Sequence, residues 1–478
     1  AHQAWGAVPW AEYASARGET RPCCADVDGD GREETVVALG PGGQSSLAVF
    51  EDAAGSRAFR EWVRLDWGGY TTTTGSHRVA RDVALTRAAA GRAWPDTSNG
   101  VHLFADQLPD DLNDAQAMYV TSRFAGTQKQ TTSQLARLRA MNPGFLCLHY
   151  QLLTGAGDIE FVDGDTWRSD WTDVSSNLGW FYTDPTSPWP NRWIRQMDWN
   201  WYLARLDSGW REYWIAEAIR RMGTQNDGVF ADSASEPWNM SPEPSWLQAP
   251  QLYEYGDLVN AFHAAAWPRL RAAGKVYLPN LGAHVTTSTR LTTENMDGFM
   301  IEDLGKWSGT GDFFGEADWR LQMDRVLPSV ARDRIVIGQS YFESVANVEE
   351  RSFCLATYLL MKGRRSYLNF LADGAGMVQF FPEFDLPIGT PIESSTTSEG
   401  LRDAASGLYR RRFTNGLAVV NPTDQARLMD LGETLFLATP SGGGEIPASG
   451  IPTGTILYAP VTRVTLPPNS AAILIRTR

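Results

Sequence analysis

Cysteine and lysine are scarce in this chain of 478 residues: there are four Cys, and only four of the 42 basic residues are Lys (129, 275, 306 and 362). Cys23 and Cys24 are adjacent, Cys147 and Cys354 sit inside apolar runs, and no spacing among them or with His matches a zinc site. Buried structural thiols are the leading reading and a disulfide the alternative. The lysine bias fits a GC-rich genome and carries no mechanism. Apolar runs are strand-sized, far from the ~18 residues that cross a bilayer as a helix, so no membrane partner is expected. A formal net charge of −14 argues against a nucleic-acid partner, which selects clustered basic residues on one face. Disorder is excluded by 19 Trp, 20 Phe and 15 Tyr. There is no Ser-His-Asp arrangement, no Gly-rich phosphate loop and no His/Cys cluster. Length alone suggests about two or three domains. The chain opens Ala1-His2-Gln3 without Met, as a processed product does, and the expectation is a secreted, extracellular protein whose signal peptide has been removed.

What is present divides into three stretches. Residues 1–95 are rich in Gly, Thr and Ala and read as short strands and loops. Their sharp feature is Asp26-Val27-Asp28-Gly29-Asp30-Gly31-Arg32-Glu33-Glu34, followed by an apolar strand. Acidic side chains at alternate positions, with Gly at the sixth, let a tight loop wrap a hard cation. Val37 stands where a bidentate Glu would complete an EF-hand. The motif instead resembles the calcium loops of FG-GAP-type β-repeats, with Asp26, Asp28, Asp30, Arg32 and Glu34 as the metal positions. The alternative is a solvated Asp/Gly turn.

Residues 96–395 alternate short strand-like runs with amphipathic stretches. The runs are 101–106, 145–150, 228–233, 275–280, 298–303, 334–339 and 365–370. Helix-like segments fall near 130–141, 200–222, 250–273, 316–330 and 347–362. Such alternation implies parallel βαβ units, and seven strands with a weaker eighth at 377–381 imply a (β/α)8 TIM barrel. Nearly every run ends in a polar or ionisable residue: Asp106, His149 with Gln151, Asp232, Asn280, Glu302 with Asp303, Gln339 and Asn369. Barrel active sites are assembled from such strand ends at the C-terminal face. Residues 396–478 lose the helical rhythm. Asn415-Gly416 between two apolar runs signals a hairpin, and short strands follow, so this stretch reads as a C-terminal antiparallel β-sandwich packed on the barrel.

Two tips carry carboxylates in the style that glycosidic cleavage needs, one protonated acid for the leaving oxygen and one ionised group to attack or to activate water. Asp232 and Glu302 are therefore the candidate catalytic pair. Asp303 is in reserve: neighbouring strand residues point to opposite sides, so if Glu302 faces the lumen, Asp303 turns away or lies on the rim. For Asp232 the plain alternative is a helix N-cap shared with Ser233. Asp106 and His149 are candidates for binding a sugar hydroxyl or tuning a carboxylate, and His149 reads equally well as a core-edge histidine. Gln151, Asn280, Gln339 and Asn369 complete the candidate polar lining.

Residues 154–200 form an insertion too long for an ordinary connection. Nine Trp fall between 167 and 214, against about two at the chain-wide frequency. Indole faces stack on sugar rings. Trp201, Trp210 and Trp214 read as helix packing, whereas Trp180, Tyr182, Trp189 and Trp193 are the substrate-binding candidates.

The tips GVFADS, VYLPNLG and GFMIEDLG, then Phe381-Pro382-Glu383 and Leu386-Pro387-Ile388-Gly389, lead into Tyr409-Arg410-Arg411-Arg412-Phe413-Thr414-Asn415-Gly416-Leu417-Ala418-Val419-Val420-Asn421-Pro422. Together they resemble the glycoside-hydrolase-like barrel families of the family-fifteen type, which join a TIM barrel to a C-terminal β-domain. The resemblance covers roughly residues 96–478. The arrangement is also similar to barrel α-glycosidases with an Asp and a second acid on two strand tips, which implies Asp232 and Glu302 as the catalytic carboxylates. The expectation is a secreted bacterial glycoside hydrolase acting on a polysaccharide or its oligosaccharides, with no cofactor for catalysis, a structural Ca2+ and an open oligomeric state. A non-catalytic carbohydrate-binding protein is the rival, distinguished by affinity without turnover. A polysaccharide lyase is the third reading, disfavoured because no basic cluster awaits a uronate.

Overall fold

The computed structural model describes residues 92–130, 132–157, 171–244, 252–286, 291–308, 311–372 and 378–478, together with the backbone of four earlier strands. The chain divides into two units, residues 1–91 with 272–274, and the remainder. In the first, β1 (Thr20–Ala25), β2 (Glu34–Leu39), β3 (Ser46–Glu51) and β4 (Arg60–Asp66) pair in chain order as an antiparallel meander. The expected calcium loop falls outside the described residues: Asp26, Asp28, Asp30 and Arg32 lie between β1 and β2, and of Glu34 only the backbone is described.

The second unit begins with β5 (Leu103–Gln107), α1 (Asp114–Arg123), β6 (Phe124–Lys129), α2 (Thr132–Met141) and β7 (Leu146–Leu152). A side excursion follows: β8 (Gly155–Ala156), α3 (Trp171–Ser175), β9 (Arg195–Gln196) and β10 (Tyr202–Leu203). The chain returns through α4 (Gly209–Met222), β11 (Gly228–Asp232), β12 (Met240–Ser241), α5 (Leu252–Ala272), β13 (Val276–Pro279) and β14 (Gly298–Glu302). It then runs through α6 (Glu316–Ala331), β15 (Ile335–Phe342), α7 (Val348–Met361) and β16 (Ser366–Ala372).

Eight of these strands form one parallel sheet in the order β13-β11-β7-β6-β5-β16-β15-β14. Its two edges meet through a parallel bridge between Asn280 and Met300, with Leu281 N donating to Met300 O at 3.0 Å. Strand order around the barrel therefore follows chain order, as right-handed βα crossovers require.

The eighth strand is not the one the sequence suggests. Gln379–Phe380 (β17) pairs outside the barrel with Gly444–Glu445 (β21), and the missing barrel strand is β6. The segment FAGTQK hides its strand character because one inward position is a glycine and the next is Gln128. A Cβ on Gly126 would lie 2.4 Å from the Leu146 carbonyl oxygen, so the backbones meet too closely for any side chain. α1 also escaped the sequence reading, although its start is well marked: Asn113 and Gln116 each cap the other's backbone N–H, at 3.0 and 3.1 Å.

At the foot of the barrel, Trp94 stacks on Phe104 and meets Tyr367 edge-on. Beside them the buried Asp227, just before β11, accepts from Arg92 at 3.0 Å, Arg139 at 2.8 Å and the Cys147 N–H at 2.9 Å. Cys147 and Cys354 are free and buried.

The C-terminal residues form an antiparallel sheet, β18 (Tyr409–Phe413), β19 (Gly416–Asn421), β20 (Arg427–Ser441), β22 (Thr455–Leu466) and β23 (Ser470–Ile475), in the order β18-β19-β23-β20-β22. It is one sheet by hydrogen bonding and two layers by packing. Ala418, Val420, Ile473 and Ile475 join the barrel core through α7. The alternate residues Leu417, Val419, Ala472 and Leu474 are covered by Met429, Val464 and Leu466, past the break in register between Asp430 and Leu435. Arg351 on α7 fastens this module: fully buried, it holds Glu383 at 2.7 Å and lies 4.4 Å from the Phe381 ring centre.

β14, which carries Glu302, offers a direct test of the close strand packing. A Cβ on Gly298 would lie 2.1 Å from the Ile335 carbonyl oxygen, a backbone atom that cannot swing aside. Gly298→Ala is expected to cost about 1–3 kcal/mol in chemical denaturation. An unchanged midpoint would show that β14 and β15 are not held this closely.

Candidate active site

The site follows from strand alternation. On each barrel strand every second side chain faces the lumen, and the hydrogen bonds identify which set it is. The last inward residue is Asp106 on β5, Gln128 on β6, Tyr150 on β7 and Asp232 on β11. It is Asn280 just beyond β13, Glu302 on β14, Gln339 followed by Tyr341 on β15, and Asn369 on β16. Below them lie apolar residues such as Phe104, Phe230, Leu278, Met300 and Ile337, all buried. The polar layer thus caps an apolar plug at the C-terminal end of the strands.

Asn280 lies at the centre. Its Nδ2 donates to Asp232 Oδ1 at 2.8 Å and to Glu302 Oε2 at 2.7 Å. Both bonds share one nitrogen, so laid end to end they limit the separation of those two oxygens to 5.5 Å. Each carboxylate has a phenol on its other oxygen: Tyr150 donates to Asp232 Oδ2, and Tyr341 to Glu302 Oε1. Burial first, and then the adjacent carboxylate, push both phenols well above their ordinary pKa, so each keeps the proton it donates. Behind Tyr341 a chain of amides runs around the barrel, Asn369 donating to Gln339 at 2.9 Å and Gln339 to the Tyr341 hydroxyl. The buried Lys306 grips the Tyr341 carbonyl at 2.8 Å and reaches Glu350 on α7 at 3.4 Å.

The charges are unequal in their surroundings. Asp106 accepts from Gln128 at 2.6 Å and pairs with Lys129 at 2.9 Å. Burial opposes the charge on Lys129, but Asp106, Asp232 and Glu302 together hold its pKa above the ordinary lysine value, and its ammonium sits 4.9 Å from the Tyr150 ring centre. Glu302 is raised to about 7, first by burial and then by the charge of Asp232, against the lowering effect of Tyr341 and Asn280. A carboxylic acid that keeps its proton near neutral pH, beside a carboxylate accepting from Tyr150 and Asn280, is the division of labour that acid-assisted displacement at an acetal carbon requires.

The sequence candidates fall into place as follows. Asp106, Asp232, Asn280, Glu302, Gln339 and Asn369 come together in this layer. No helix begins at Asp232, since the described residues up to Ser241 hold turns and a short strand, so the helix-cap alternative does not describe it. Asp303 turns away: it adopts φ +68°, accepts from the Ser308 N–H at 2.9 Å and shapes the turn after β14, its carboxyl raised by burial. Gln151 lies on the helix-facing side of β7, its amide 3.5 Å from the Trp214 carbonyl on α4, and His149, two residues earlier, shares that side. The inward residue between them, Tyr150, is what the sequence reading missed by one position.

Among the described residues, the aromatic insertion is mostly self-packed. Trp193 is buried against Phe181, Trp171 and Tyr202, with ring centres 4.8–5.8 Å away. Trp180 lies beside Tyr213 on α4 at 5.4 Å, and the half-buried Tyr182 has Arg205 5.9 Å from its ring centre. Trp189 donates to Ser241 O at 3.1 Å under the Arg195 guanidinium. Trp201, Trp210 and Trp214 are buried, and the last two donate to the Leu153 and Leu152 carbonyls. Gln128, Lys129 and Tyr341 were also missed. The first two sit on the unrecognised β6. Counting two residues on from Gln339 would have found Tyr341.

Two outcomes check the state of Glu302. Between about 4.5, the ordinary glutamate value, and about 7, the folded protein holds a proton that the unfolded chain has lost. Raising the pH through that window therefore lowers stability. Glu302→Gln removes this titration, so its Tm advantage over the wild type should widen as pH climbs from about 4.5 through about 7. A pH-independent difference would mean that Glu302 titrates as an ordinary carboxylate. Because the Tyr341 hydroxyl lowers Glu302, Tyr341→Phe should shift the basic limb of any pH–rate profile to higher pH, and a shift to lower pH would contradict the geometry.

Comparison with known proteins gives the geometry a family. No protein of curated function is similar in sequence. Among solved structures, an α-amylase from Geobacillus thermoleovorans is similar at 10% identity and TM-score 0.36, over 80% of this chain and 98% of that one. A trehalulose synthase is similar at 12% identity and TM-score 0.42, over 79% and 99%. A type III pullulan hydrolase from Thermococcus kodakarensis is similar at 12% identity and TM-score 0.39, over 93% and 89%. The model of hypothetical glycosyl hydrolase family 15 matches residues 139–417, more than half of the chain and the stretch that carries Tyr150, Asp232, Asn280, Glu302, Tyr341 and Asn369. The chain belongs to hypothetical glycosyl hydrolase family 15.

Proposed function

We propose that this glycosyl hydrolase cleaves a polysaccharide or its oligosaccharides with retention of anomeric configuration, Asp232 acting as nucleophile and Glu302 as acid and then base. The observation that carries this reading is the Asn280 amide, which keeps one oxygen of each carboxylate within 5.5 Å of the other. Retaining pairs stand about 5–5.5 Å apart, whereas inverting pairs need roughly 6.5–9.5 Å to admit a water.

In the first step the Asp232 carboxylate attacks the anomeric carbon while the Glu302 proton passes to the departing glycosidic oxygen. The C–O bond to the leaving sugar breaks and an ester to Asp232 forms. Tyr150 and Asn280 orient the attacking carboxylate, and Lys129 keeps a positive charge beside the developing changes. Esterification neutralises Asp232, which removes one of the two influences that raise Glu302. Its pKa falls, and the anion left after proton transfer becomes a base for the water that hydrolyses the ester. The alternation of Glu302 between acid and base thus comes from its neighbour's charge and needs no movement of the chain.

The test is digestion of a glycan panel with the anomer of the first product read by NMR. The expected result is release of sugar in the retained configuration, with kcat falling by about 10²–10⁴ in Glu302→Gln. Azide separates the two roles: Glu302→Ala should give a glycosyl azide of retained configuration and Asp232→Ala one of inverted configuration. Product of inverted configuration from the wild type, or full activity in both variants, would overturn the assignment. Affinity for a glycan with no turnover of it would make the chain a binding protein.

A further inference from the structure

Among the described residues, most tryptophans of the aromatic insertion and its surroundings are buried or half-buried, but Trp199 and Trp238 are 55% and 64% exposed. They come from different loops. Trp199 lies in the turn between β9 and β10, beyond the end of β7, and Trp238 lies between β11 and β12, beyond Asp232. Two bonds fasten these turns to each other: Met197 N donates to Asn239 O at 3.0 Å, and Asn239 Nδ2 donates to Asp198 Oδ2 at 2.8 Å. The two indoles therefore flank a single stitched seam.

The seam is held from below. Gln196 is 1% exposed, and its side chain serves the turn at both ends, accepting from Trp199 N at 2.7 Å and donating to Asp198 Oδ2 at 2.8 Å. β12 pairs with β9 through Met240–Gln196 and Ser241–Arg195, so both turns stand on one small sheet. The braced turns fix where the two exposed rings stand, as a preorganised binding surface requires. The position is also constrained: Trp238 lies six positions after Asp232, so their Cα atoms are at most about 22 Å apart. Both loops leave the barrel at its C-terminal end, from the strands that carry Tyr150 and Asp232.

We infer that Trp199 and Trp238 form a platform for a saccharide chain that extends out of the active site, so that the enzyme grips a polymer beyond the sugar it cleaves. This rests on the glycosidase reading for the direction of the chain. Indole faces stack on the C–H faces of sugar rings, and two of them on one braced seam suit successive residues of a chain rather than a single sugar. Trp180 and Trp193, packed against neighbouring rings, and the half-buried Tyr182 beside Arg205 leave this role to the two exposed residues.

The test is affinity electrophoresis of the full chain carrying Asp232→Asn, in gels containing pullulan, galactomannan or arabinoxylan, with and without Trp199→Ala/Trp238→Ala. At least one polymer should retard the parent, and the double substitution should weaken that affinity at least tenfold with Tm unchanged. In the otherwise wild-type chain the double variant should turn over 4-nitrophenyl glycosides at the parent rate while its KM on the polymer rises. No retardation by any of the three polymers, or equal retardation of parent and double variant, would overturn the platform. So would a double variant that merely changes from dimer to monomer, which would mark the seam as a contact between copies. Polymer binding that depends on the two Trp, together with no release of sugar from the bound polymer by the otherwise wild-type chain, would remove the cleavage assigned to Asp232 and Glu302 and leave the platform standing.

Discussion

The closure of eight parallel strands is the constraint from which the site follows. Once β13 and β14 join through the Asn280–Met300 bridge, alternation along each strand sends a fixed set of side chains into one narrow lumen. Deep in the lumen those side chains must be apolar, because a polar group there would find neither water nor partners. At the open end the same geometry brings together polar residues more than 250 positions apart in sequence, such as Asp106 and Asn369, without any loop having to carry them. The glycines at the inward positions of β6, β11 and β14 belong to the same constraint: Gly126, Gly228 and Gly298 each stand where a Cβ would meet a neighbouring carbonyl oxygen within 2.4 Å.

Within that ring, one amide organises the electrostatics. Asn280 donates to both carboxylates, and a neutral donor shared by two acids tolerates either of them changing charge. The asymmetry comes from the rest of the ring. Lys129 is already committed to Asp106 on the β5–β6 side, while Glu302 sits across the lumen with a phenol and a chain of amides behind it. Burial and the Asp232 charge therefore raise Glu302, which sets the two acids apart.

The C-terminal sheet, which shares the second unit with the barrel, braces this arrangement. α7 faces two ways: Glu350 meets Lys306, which holds the backbone of Tyr341, and the next residue, Arg351, meets Glu383 under the C-terminal sheet. Arg411 on β18 caps the end of the same helix by donating to the Leu360 and Lys362 carbonyls at 3.1 and 2.6 Å. A buried ion pair of this kind adds little net stability by itself, but breaking one partner leaves an uncompensated charge inside. The C-terminal sheet thus bears on the helix that positions the phenol next to Glu302.

Much of this was legible in the chain. Asp232 and Glu302 end strongly apolar runs, and such runs announce buried parallel strands whose tips face the barrel mouth. The antiparallel C-terminal module was equally plain from Asn415-Gly416 and the short strands after it. β6 was not legible, because Gly126 and Gln128 erase its apolar pattern, and with it went Gln128 and Lys129. Tyr150 was passed over for His149 and Gln151, because a run that is buried on both faces does not reveal which alternate set looks inward. The exposure of Trp199 and Trp238 was hidden for a similar reason, since an indole in a loop looks the same in sequence whether it packs or protrudes. Sequence by itself determined which residues could do the chemistry, since side-chain type and strand period are local properties. Only the tertiary structure decided how near Asp232 and Glu302 stand and how burial and the neighbouring charge raise Glu302. Distance and desolvation arise where strands distant in sequence close around a common lumen.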